Sequence, residues 1–140
     1  INTIDLTDFS SWNESDVSVF TEVSGGLGWD AADTDDDWMV YSDAFTIPAH
    51  AEKIAVIYDL SIGQIQADGD MIVYLSSQTD GGGTAIAIGA YDESSTNATG
   101  IYSLSDANTA YTRLVFRDNA STNKSTVIAG LTNCYIHILQ

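Results

Sequence analysis

Between Ile54 and Leu60 the chain is apolar on both faces of an extended strand, with Ile54, Val56, Tyr58 and Leu60 on one side and Ala55 and Ile57 on the other. A strand at the edge of a sheet rarely carries two apolar faces, so this stretch is expected at the centre of one. The same period of two recurs along the chain in β-branched and aromatic residues. Clusters of Gly, Asn, Asp and Ser interrupt it every ten or so residues, which reads as strands joined by turns. Only Leu104 to Ala110 suggests a single helical turn; nothing longer shows helical spacing.

The predicted strands begin with Ile1 to Phe9 and a second around Val17, Val19 and Phe20. Trp38 to Ile47 follows, with a register shift near Ser42 or a partner for Asp43. Met71 to Leu75 and Thr84 to Tyr91 form a hairpin, and Gly81, Gly82 and Gly83 are its flexible tip. Ile101 to Leu104, Tyr111 to Arg117, Val127 to Leu131 and Cys134 to Leu139 complete the chain. Eight or nine short strands in one domain over residues 1–140 predict an all-β, two-sheet antiparallel β-sandwich of the jelly-roll kind.

Charge excludes several partners. Four Lys and Arg stand against 20 Asp and Glu, a formal net charge of −16. Such a field repels phosphate backbones and anionic lipid headgroups, so neither nucleic acid nor a membrane surface is expected. Divalent cations, neutral ligands, basic surfaces and a high-salt habitat are all compatible with it. The single cysteine, Cys134, lies in an apolar run and reads as a buried, inert thiol. The chain starts at Ile1 without methionine and without a signal-like or membrane-spanning run, which reads as a processed product or an excised domain.

Gly25 to Pro48 is the most unusual stretch, holding two tryptophans and the aspartates Asp30, Asp33, Asp35, Asp36 and Asp37. Placed in an exposed loop, Asp30, Asp33, Asp35 and Asp37 form a candidate calcium site, because calcium takes six to eight oxygen ligands. The alternation imitates the start of an EF-hand loop and then fails, with Trp38 where glycine is required and Ala44 where glutamate is. A solvated acidic loop and an irregular cation site both remain open.

Trp29, Trp38, Tyr91 and Tyr102 are the candidate ligand-binding residues, since aromatic rings stack on the apolar faces of sugars while nearby carboxylates and amides engage hydroxyls. The competing reading for Trp38 and Trp29 is core packing, and Trp12 reads as core. Arg113 and Arg117 share one face of one strand; they suit either a sugar carboxylate or pairing with the protein's own acids. His50 and His137 stand in no metal-ligand pattern. No nucleophile elbow, HExxH or Cys/His pair occurs, so an enzyme is not expected.

Three features together, Asp8-Phe9-Ser10-Ser11-Trp12 after the first strand, the Gly- and Asp-rich loop before Ser42-Asp43-Ala44-Phe45-Thr46-Ile47-Pro48, and the closing strand Asn133 to Leu139, resemble galactose-binding-like jelly-roll domains of the carbohydrate-binding-module type. Such domains also occur in phage appendages. The resemblance implies a non-catalytic glycan-binding module, extracellular, at the cell surface or on a virion. The rival reading is a structural or decoration protein of a virion, fibre or surface layer, assembling with other proteins or as a homo-oligomer. Relatives commonly hold a structural calcium through a late Asp; this chain has Asn133 and His137 in that region.

Overall fold

In a computed structural model, residues 2–14, 20–23, 25–31, 38–66, 70–104, 109–118 and 126–139 are described. They form eleven strands: β1 (Asn2–Asp5), β2 (Asn13–Glu14), β3 (Phe20–Val23), β4 (Gly26–Ala31), β5 (Met39–Tyr41), β6 (Lys53–Ile65), β7 (Asp70–Ser76), β8 (Ala85–Asp92), β9 (Asn97–Leu104), β10 (Arg113–Asp118) and β11 (Val127–Leu139). Two strands are unexpected: β2, which is too short to show alternation, and β4, whose glycines read as a loop. The second predicted strand is described only from Phe20, and the turn expected between Leu104 and Ala110 falls mostly outside the described residues.

Two antiparallel sheets make the sandwich. The first runs β3-β4-β11-β6-β9, with β1 also paired to β11; the second runs β2-β5-β10-β7-β8. β6 lies between β11 and β9, as its doubly apolar sequence requires. Val127 to Leu131 and Cys134 to Leu139 are one continuous strand rather than two, bulged between Leu131 and Asn133. The bulge keeps Leu131 and Cys134 both in the core despite their odd spacing.

Alternation sorts the side chains. Ile54, Val56, Tyr58 and Leu60 of β6 meet Met71, Val73 and Leu75 of β7 and Leu114 and Phe116 of β10 in one core. Phe116 is its aromatic hub, with ring centroids 5.3 Å from Trp29, 5.7 Å from Tyr58 and 6.1 Å from Trp12. Cys134 is fully buried there, and burial pushes its thiol well above the ordinary range, consistent with an inert packing role.

The doubtful register at Asp43 resolves into one extra residue. The Ser42 amide donates to Leu114 O and the Phe45 amide to Thr112 O, so three steps on one segment oppose two on the segment leading into β10. Trp38, Val40, Phe45 and Ile47 therefore all reach the core, although their sequence positions alternate out of phase. Ser42 repairs the ladder itself: its buried Oγ accepts the Leu114 amide at 3.0 Å and donates to Asp43 O at 2.9 Å. Asp43 is exposed, with its carboxylate accepting the Ala44 amide.

Candidate functional site on the outer face of the five-stranded sheet

The sequence-predicted ligand residues do not converge on a surface. Trp29 lies in β4 instead of an exposed loop, and both Trp29 and Trp38 are fully buried, their ring centroids 6.3 Å apart. Their burial corrects the expectation that they stack on a sugar: neither ring has a face exposed to solvent. Glycines misled the reading, because Gly26 is needed inside β4 where a Cβ would collide with the Leu131 carbonyl. Tyr91 is likewise in the core, its hydroxyl bonded to those of Tyr58 and Tyr102. Tyr102 is half-buried and stacked on Tyr58 at 5.3 Å.

Of the calcium candidates, Asp30 is exposed on β4 opposite Ile128, while Asp33, Asp35 and Asp37 lie outside the described residues. Among the described residues no three His, Cys, Asp or Glu side chains cluster as a metal site.

A different surface gathers the chemistry. On β10 the inward residues Leu114 and Phe116 leave Arg113, Val115 and Arg117 on the opposite, outer face. Register places Val115 between Tyr41 of β5 and Tyr74 of β7, and Arg117 between Met39 and Ile72. Adjacent strands stand about 4.8 Å apart, so two tyrosines flank a shared floor across roughly 10 Å. Val115 is completely buried yet is not part of the core between the sheets. Its burial shows that the outer face is itself covered at this point.

The β7–β8 connection folds onto the same face, against Tyr74 and Arg117. Gly81 and Gly83 adopt φ of 79° and 65°, which turn the loop back over the sheet. A Cβ at Gly81 would stand 2.9 Å from the Tyr74 ring, so the loop rests on that ring. Ser76, buried beneath, donates to Gly82 O at 2.7 Å, and the Thr84 amide donates to Ser77 Oγ at 3.0 Å. The three glycines thus build a fastened flap instead of the flexible tip that their composition predicts.

Both arginines are half-buried and anchored by main-chain carbonyls. Arg113 Nη1 donates to Ser42 O at 3.0 Å, and its guanidinium carbon lies 5.5 Å from the Tyr41 ring centre. Arg117 donates through Nη1 to Asp80 O at 2.6 Å and through Nε to Asp118 O at 3.2 Å. Among the described residues neither forms an ion pair. The resulting surface combines aromatic rings, the apolar Met39 and Ile72, and fixed donors, a combination suited to the mixed apolar and hydroxylated surface of a sugar. Sequence already showed Arg113 and Arg117 opposite Leu114 and Phe116; it did not show that β5 and β7 bring Tyr41 and Tyr74 alongside them.

The two-sheet sandwich is similar in fold to solved carbohydrate-binding modules. A variant of CBM29-2, a family 29 carbohydrate-binding module, is similar with a TM-score of 0.60 at 10% identity, covering 96% of this chain and 91% of that one. TmCBM61, solved in complex with beta-1,4-galactotriose, gives 0.59 at 10% identity, covering 95% and 92%. The enzymatically active domain of tailspike protein 4 of bacteriophage CBA120 gives 0.54 at 11% identity, covering 96% of this chain and 20% of that one. No family model and no curated protein matches the sequence.

Proposed function

We propose that this chain is a non-catalytic glycan-binding module, acting outside the cell or on a virion surface, whose ligand lies on the outer face of the five-stranded sheet. The observation that carries the reading is the pair of half-buried rings Tyr41 and Tyr74, which flank the covered Val115 and are bordered by the half-buried Arg113 and Arg117. The parts of the two rings left open beside the Gly81 loop and the Arg113 guanidinium supply apolar contact area at low entropic cost, and anchored guanidinium groups orient hydroxyl or ring oxygens. The likeness to carbohydrate-binding modules supports the same reading at the level of the fold.

Calorimetric titration against a panel of soluble polysaccharides tests it, with Tyr41→Ala as the comparison. Saturable binding weakened about tenfold or more by Tyr41→Ala is the expected outcome. Binding to no glycan, or binding indifferent to Tyr41, refutes the placement. Assembly into a larger virion or surface structure is the second reading, favoured by the likeness to the tailspike domain. A strictly monomeric species at high concentration and in salt argues against self-assembly.

A further inference from the structure

Resting on the reading above, we infer that the ligand of this face is an anionic glycan, a polysaccharide whose sugars carry carboxylates, with Arg113 and Arg117 as its charge-recognising residues. Only four Lys and Arg occur in the chain, against 20 acidic residues. Two of the four share the outer face of β10 and straddle Val115. Four residues along a strand separate them by about 13 Å, so one extended ligand can reach both.

Random placement in so acidic a protein gives an arginine many carboxylates to pair with, yet neither has an ion-pair partner among the described residues. Their anchors are carbonyl oxygens of Ser42, Asp80 and Asp118, which fix the planes and leave the positive charges without a carboxylate partner among the described residues. Holding an unpaired guanidinium half-buried costs desolvation energy that a ligand carboxylate returns as a charge-assisted, bidentate contact. Each guanidinium has five N–H donors. Arg113 uses one and Arg117 two on these carbonyls, leaving further donors for a ligand. Elsewhere the strongly negative protein repels an acidic polymer, so binding is confined to this face.

The test compares polygalacturonate with the same polymer after methyl esterification, which keeps the sugar and removes the charge. The expected result is at least tenfold tighter binding to the charged form, declining as salt rises. Arg113→Gln and Arg117→Gln should each erase most of that preference while retaining the melting temperature and circular dichroism of a folded sandwich. Lys53→Gln removes the same charge from an exposed position on the other sheet and should leave the preference intact. Dextran sulfate against dextran forms a second arm: selective binding of the sulfated polymer alone assigns the anion to sulfate esters, and so overturns the carboxylate. Equal binding of charged and esterified polymer, or a preference that survives both Arg→Gln changes, overturns this inference and leaves glycan binding standing. Failure to bind any glycan, neutral or charged, overturns both.

Discussion

Gly89 of β8 packs directly against Tyr58 of β6 across the sandwich, so closely that a Cβ at position 89 would stand 2.8 Å from the Tyr58 hydroxyl oxygen. The missing side chain makes room for the hydroxyls of Tyr58, Tyr91 and Tyr102 to form a bonded row. Gly89→Ala should therefore cost about 1–3 kcal/mol by overpacking, read as a lowered denaturant midpoint. An unchanged midpoint would show that the row is not tightly held.

The same row sets alkaline behaviour. Burial first, then hydrogen bonding to neighbouring tyrosines, raises the Tyr58 hydroxyl above its ordinary value of 10.0. Burial likewise leads the rise at Tyr91. A raised folded-state value contributes stability that is complete below the unfolded value and is lost as pH climbs beyond it. The tyrosinate absorbance of Tyr58 and Tyr91 should thus appear only well above pH ~10, together with unfolding. Ionisation of every tyrosine in a single early step, with the fold intact, would contradict this.

Trp29 and Trp38 should govern stability rather than affinity. Replacing either by Ala should destabilise the chain by about 3–5 kcal/mol through the cavity left behind, measured by chemical denaturation. Trp12 donates its indole N–H to Leu6 O at 2.9 Å, whereas the buried indole nitrogens of Trp29 and Trp38 have no partner among the described residues. Trp29→Phe and Trp38→Phe remove those unpaired donors and should cost less than the Ala changes. A selective loss of glycan binding in a fully stable Trp29→Ala protein would return that ring to the site.

Ser42 is a stability residue at the rim of the site. Ser42→Ala would leave the buried Leu114 amide without its acceptor, at a cost of about 1–3 kcal/mol by thermal or chemical melting. A loss below measurement would mean that the bulge repairs itself by other means.

Chelation separates the acidic stretch from the arginine face. If binding runs through Arg113 and Arg117, dialysis against EDTA should leave glycan affinity within about twofold, a change of less than 0.5 kcal/mol. A loss beyond tenfold, restored by calcium, would move the function to Asp30 and its neighbours.

The central position of β6 was legible because a doubly apolar strand has one physical solution, and the β7–β8 hairpin was legible because its strands adjoin in sequence. The arginine face was half legible: alternation put Arg113 and Arg117 opposite Leu114 and Phe116. Its other half depends on Tyr41 and Tyr74 meeting β10 through pairings between residues far apart in the chain, which local periodicity does not encode. Glycine was the main source of error. Gly26 and Gly28 suggested a loop around Trp29, but close strand packing explains Gly26; the glycines at 81–83 suggested mobility, but positive φ and hydrogen bonds fasten the flap.

Chemical-shift mapping during titration with a bound oligosaccharide tests the central claim most directly. The expected perturbations centre on Tyr41, Tyr74, Arg113 and Arg117, with smaller shifts in the loop around Gly81. Perturbations centred instead on Thr3, Tyr135 and His137, on the outer face of the other sheet, or on Asp30 and the residues after it, would contradict the account.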